Sequence, residues 1–215
     1  MLFRSLLVKD FKLMKVQKNF YFLLIAIFIV FEILNYDVSF AIGFVTFATS
    51  MFTLSTISYD EFDNGSAFLF TLPISRKSYV AEKYVFALLL SLGSWVITVL
   101  LAIVLTKSPA SETLVPAVII FIAVLVLQAV MLPIQIKFGG EKGRIALIAV
   151  VSLLALVCIG IGKLLEMLGV DIFTALDHLP SVSTGVLLII AIAVVAVILL
   201  ISMQISISIM NKKEF

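Results

Sequence analysis

The chain has 215 residues, 63% of them hydrophobic and 13% charged, and its mean hydropathy is +1.27. Soluble domains carry about 25% charged residues, so roughly half the charge needed for a water-facing surface is missing. That composition excludes an ordinary soluble enzyme, a nucleic-acid-binding protein and a disordered segment. A single cysteine, Cys158, and a single histidine, His178, give no disulfide framework, no metal cluster and little basis for histidine-dependent catalysis. The expected class is an all-α integral membrane protein forming one domain over residues 1–215.

The first 19 residues are too charged to span. Leu2, Phe3, Leu6, Leu7, Phe11, Leu13 and Met14 recur at helical spacing, while Lys9, Lys12 and Lys15 sit three apart on another face. This predicts an interfacial amphipathic helix, apolar side toward the lipid and lysines toward anionic headgroups. It would serve as an anchor, or also pass on force from a soluble partner. No small-residue cleavage site follows, so the segment is expected to stay in the mature chain.

Six stretches then offer about 20 mainly apolar residues each, enough to cross the hydrocarbon: 20–36, 38–58, 84–106, 115–136, 145–164 and 185–210. Six crossings put Arg4, Lys9, Lys12, Lys15, Lys18, Arg76, Lys77, Lys83, Lys137, Lys142, Arg144, Lys212 and Lys213 on one side, and only Lys107 and Lys163 on the other. The asymmetry predicts a plasma-membrane protein with both termini in the cytoplasm.

The connection at 59–83 is the longest on the basic side and carries its chemistry in order. Asp60, Glu61 and Asp63 form an acidic cluster that ends at Asn64-Gly65, a turn or helix-stop signal. Phe68, Leu69, Phe70 and Leu72 are apolar where water is available and need lipid or a protein groove. Pro73 breaks the chain again, and Ser75 is a good N-cap for a helix through Tyr79, Glu82 and Lys83 into the third span. Two short helices around a proline turn are expected, serving as a docking surface for a soluble partner or simply folding against the membrane domain.

The run from Tyr59 to Tyr84, with Asn64-Gly65, then Thr71-Leu72-Pro73-Ile74-Ser75-Arg76, Tyr79-Val80 and Glu82-Lys83-Tyr84, resembles the small six-span ABC-2 type permeases of Gram-positive bacteria. The resemblance covers the whole chain in length and topology and is motif-specific over this loop. It is nearest in appearance to permeases that export peptides, including phenol-soluble modulin and lantibiotic-immunity exporters. It implies a coupling helix after the second span, docked into a groove of a separate ATPase subunit that holds the ATP and magnesium. Carried over by position, the coupling residues are Asp60, Glu61, Phe62, Asp63, Asn64, Gly65, Pro73, Ser75 and Arg76. It also implies a second permease chain, identical or related, and a peptide substrate.

Polar residues inside the spans are few. Glu32 lies about twelve residues into the first span, roughly 18 Å along a helix. An ionised carboxylate at depth costs about 2.5–3.5 kcal/mol on insertion scales, so it should face protein, water or the outer headgroups. Thr46, Thr49, Thr53 and Thr56 share one face of the second span, suited to close helix packing or to a pathway wall. Glu32, Thr46, Thr49 and Thr53 are the pathway candidates. Pro133, Gln128 and Gln135 mark the inner half of the fourth span, where the proline should kink the helix, and Gly139-Gly140 should make the next turn. Residues 164–179, with Glu166, Asp171, Asp177 and His178, read as a short re-entrant or interfacial helix.

No Gly-x-x-x-x-Gly-Lys-Ser/Thr loop, Gly-x-Ser-x-Gly elbow or His-Glu-x-x-His site occurs. The expectation is therefore a transport subunit with no catalytic, cofactor or metal site of its own, driven from outside. Two other readings fit a six-span chain of this length: the substrate-capture component of a vitamin importer, and an immunity membrane protein that binds a toxin without ATP.

Overall fold

The computed structural model describes residues 2–34, 37–62, 65–106, 110–167 and 184–213, and every regular element among them is an α-helix. In chain order these are α1 (Leu2–Val16), α2 (Lys18–Ile33), α3 (Val38–Ser50), α4 (Phe52–Glu61), α5 (Gly65–Thr71), α6 (Arg76–Thr106), α7 (Ala110–Phe138), α8 (Gly140–Met167) and α9 (Thr184–Lys212).

Four segments of the described chain are long and apolar enough to cross a membrane: Val38–Glu61, Arg76–Leu105, Thr113–Phe138 and Gly185–Lys212. The α1–α2 pair, bent by 64°, would make a fifth. Six crossings are thus more than these helices establish. The expected first span corresponds to α2, 16 residues that start at Lys18 and stop at Ile33. The fifth expected span lies within α8, whose stretch from Ile145 to Gly162 carries no charge. The re-entrant helix expected at 164–179 begins on the end of α8, and its remainder, His178 included, lies outside the described residues.

Local chemistry explains the helix ends. Asp37 caps α3 by accepting from the Ser39 N–H at 2.8 Å. Ser50 Oγ bonds back to the Phe47 carbonyl at 2.7 Å, and the second span breaks there into α3 and α4 around Met51. Ser75 precedes α6 and accepts from the Ser78 N–H at 3.1 Å, which holds one of the helix's unpaired first-turn donors. Gly139 joins α7 to α8 with φ of +75°, a conformation that a Cβ opposes.

The α7 helix continues through Pro116 and Pro133. Pro133 has no N–H, so the Ala129 carbonyl loses its helical partner. The Ser202 hydroxyl of α9 donates to that carbonyl instead. Ser202 and Ser206 also lie 2.6 and 2.8 Å from the Tyr84 hydroxyl of α6. The polar inner end of the last span therefore packs, fastening α6, α7 and α9 together. Gln128 adds a further tie, donating to Ser91 Oγ at 2.7 Å. Around these bonds Ile57, Val80, Leu132 and Ile136 are buried in one apolar cluster, and Phe28, Ile42, Ala102 and Ala117 in another nearer the opposite end of α6.

Candidate functional site

The segments expected on one side of the membrane do meet at one end of the bundle, and charge holds them there. Asp10 on the inward face of α1 accepts from Lys83 of α6 at 2.5 Å. Lys83 is fully buried; its Nζ also lies 2.8 Å from Asp60 Oδ2 of α4, 3.1 Å from Thr56 Oγ1 and 3.7 Å from Glu82 Oε2. Lys9 pairs with the other oxygen of Asp60 and lies 3.2 Å from Asp10 Oδ1. The Tyr79 hydroxyl donates to Asp60 at 3.1 Å, and its ring centroid sits 5.2 Å from Lys83 Nζ. Lys83 is thus the centre on which α1, α4 and α6 converge.

A second junction lies one residue further along. The Glu61 carboxylate accepts from the Gly140 N–H at 2.8 Å and pairs with Lys213 just beyond α9. Lys213 donates as well to the Ile136 carbonyl at 3.1 Å. Arg76, at the start of α6, donates to the Met210 and Asn211 carbonyls, both at 2.8 Å, and so caps the end of α9. Gln135 bridges Ser58 Oγ at 2.9 Å and the Gly139 carbonyl at 3.2 Å. Two carboxylates and one arginine from the connecting loop therefore bind α1, α6, α8 and α9 at once.

A Cβ on Gly139 would stand 2.0 Å from Glu61 Oε2. Gly139→Ala should lose about 1–2 kcal/mol from the left-handed backbone alone, and more from displacing Glu61. The thermal midpoint in detergent is expected to fall by several degrees; an unchanged midpoint would show that neither the left-handed backbone nor the Glu61 contact constrains this turn.

The nine loop positions singled out from sequence divide into four sets. Asp60, Glu61 and Arg76 are turned into the bundle. Phe62, Pro73 and Ser75 stay at the surface, Phe62 being 73% exposed. Gly65 opens α5, where a Cβ would stand 2.8 Å from the Asp60 carbonyl, and Ser66 Oγ bonds that carbonyl at 3.1 Å. Asp63 and Asn64 lie outside the described residues. Of the pathway candidates, Thr46 and Thr53 are buried with hydroxyls that find no partner among the described residues, as does one oxygen of Glu32. Thr49 is buried beside a groove between α2, α3 and α6.

Asp10, Tyr79, Glu82 and Lys83 do not stand out as site residues from sequence. The available signals are a lone acid in a basic amphipathic segment and an adjacent Glu-Lys pair where an apolar helix begins. Lys9 likewise turns to Asp60 rather than to headgroups, because a buried carboxylate needs a counter-charge more than lipid does.

Long apolar helices drawn together by charge at one end define a multi-pass plasma-membrane protein with a polar loop rooted in its bundle. The model of the ABC-2 family transporter protein matches residues 5–211, and the chain belongs to that family. It is the membrane-embedded permease subunit of an ABC transporter, a transport component of the kind that associates with an ABC ATPase subunit. No curated protein and no solved structure matches the chain.

Proposed function

We propose that this permease exports amphipathic peptides, with the α4–α5 loop and the Pro73–Ser75 turn as its coupling element. The observation that carries the reading is the opposition within that loop: Asp60 and Glu61 root it in the bundle, while Phe62 and Phe68 stand 73% and 71% exposed beside them. A loop free to flex would dissipate any push from an ATPase. A loop pinned by buried ion pairs passes it directly to α1, α6, α8 and α9. Such coupling requires that the ATPase contact the loop differently in its two states.

In this reading the basic end is cytoplasmic, as are both termini, and α2 and α8 complete six crossings. Two permease chains, identical or related, enclose the pathway. Thr46, Thr53 and Glu32 line it when the helices separate; unpartnered polar atoms are costly inside a packed bundle and are relieved by water or substrate. Family membership favours this reading over vitamin capture and over toxin binding without ATP.

The test is reconstitution of the chain with its cognate ATPase in liposomes loaded with amphipathic helical peptides. ATP-dependent loss of peptide from the cytoplasmic-equivalent side supports export. Two results would overturn the reading: failure of any such peptide to move while ATP is hydrolysed, or labelling of Ser75→Cys from the cell exterior by an impermeant thiol reagent.

A further inference from the structure

A groove of about 340 Å³ lies at the elbow between α1 and α2, where both helices meet α3 and α6. That volume falls within the usual range of small-molecule sites, about 300–1,000 Å³. Its floor is buried, formed by Leu24, Val45 and Leu90, while Phe11 and Ile97 at its rim are exposed. It therefore opens sideways, where the bilayer would lie. Two features separate it from an ordinary gap. Tyr21 lines it and carries a hydroxyl that is shielded from solvent yet meets no hydrogen-bond partner among the described residues. Lys15 lies four residues after Phe11 on α1 and Lys18 three residues before Tyr21 on α2, so each helix carries an exposed lysine about one turn from a groove-lining residue.

A second groove of similar volume, between α6, α7 and α9, is the useful contrast. Neither lining contains a basic residue, but the tyrosine of this second groove, Tyr84, is bonded to Ser202 and Ser206. Of these two grooves, the one at the elbow joins an apolar trough to an unsatisfied donor, with exposed lysines one helical turn away on both α1 and α2.

We propose that the elbow groove holds one acyl chain of an anionic phospholipid, with Lys15 and Lys18 at its phosphate and the Tyr21 hydroxyl offered to an ester oxygen. The occupant must be amphipathic, because the trough is apolar and the donor polar. An anionic headgroup is the one that two exposed lysines, each a helical turn from the groove, would attract. The lipid would then fix the angle at which α1 leaves α2, and with it the position of Asp10 against Lys83. This site stands apart from the peptide-export reading and holds whether or not that reading does.

Gly93 supplies the test. It lines the groove, and a Cβ built there meets nothing within 4 Å, so Gly93→Leu fills the space without displacing the chain. Gly160, equally open but on α8, provides the matched control as Gly160→Leu. The purified chain is equilibrated with vesicles of equal phosphatidylglycerol and phosphatidylcholine, then examined by native mass spectrometry. One phosphatidylglycerol per chain is expected on the wild type and on Gly160→Leu. Retention should fall at least about tenfold in Gly93→Leu, which removes room for several buried methylenes. Lys15→Gln with Lys18→Gln, both at exposed positions, should abolish the preference for phosphatidylglycerol, and Tyr21→Phe should weaken retention. Equal retention of the two lipids by the wild type would overturn the proposal, as would full retention by Gly93→Leu. One-for-one displacement of the lipid by an amphipathic peptide would also overturn it, and make the groove a substrate site.

Discussion

Phe62→Asp combined with Phe68→Asp is expected to abolish stimulation of the cognate ATPase while the chain still inserts and folds. Both rings project from the proposed coupling loop with over two thirds of their surface exposed, and neither belongs to the bundle's buried core. Aromatic anchors at protein interfaces contribute about 2 kcal/mol or more each, and a carboxylate in their place adds a desolvation cost. Loss of both should weaken ATPase binding by roughly a thousandfold. Co-purification and ATPase activity in proteoliposomes measure the effect, and the thermal midpoint of the permease alone serves as control. Undiminished coupling would remove the α4–α5 loop from the drive train. Neutralising Asp60 or Glu61 would be harder to read, since those carboxylates also hold the fold.

Lys83→Met is expected to be the most destabilising single substitution at the basic end. Its ammonium lies within 4 Å of three carboxylates, those of Asp10, Asp60 and Glu82, and only Lys9 would be left to offset them. Removing one partner from a buried ion pair costs about 3–5 kcal/mol, because the remaining charge has neither water nor counter-ion. At about 2–4 °C per kcal/mol for a chain of this size, the unfolding midpoint should drop by of order 10 °C. Asp10→Asn added to Lys83→Met should recover part of that loss, since it deletes one orphaned charge. If the double variant is no more stable than the single one, the cluster does not act as a unit.

Much of the architecture could be read directly because it is written in short-range patterns. The third, fourth and sixth expected spans correspond to α6, α7 and α9. The Ser75 cap and the turn at Gly139 depend on residues within four positions of one another. The helix in the first expected span, Lys18–Ile33, is offset toward the N-terminus from the expected 20–36, because Asn35 and Asp37 end the apolar run soon after Leu34. The ionic junction was not legible for a different reason. Lys83 meets Asp10 across 73 positions, and Lys213 meets Glu61 across 152. A charge near an apolar segment reads as a headgroup contact until the fold brings its partner alongside. Asp60 and Glu61 of the loop's acidic cluster face inward to the bundle, and that direction depends on where α1 and α9 end.

One consequence follows from the unbroken length of α6. It runs 31 residues from Arg76 to Thr106 with no proline, and is gripped near its start at Lys83. From that fulcrum to Thr106 is about 35 Å at 1.5 Å per residue, so a tilt of only ~5° carries the far tip sideways by about 3 Å. A small tilt at the ion pairs would thereby reach the opposite end of α6 enlarged about threefold over the shift it makes at Arg76.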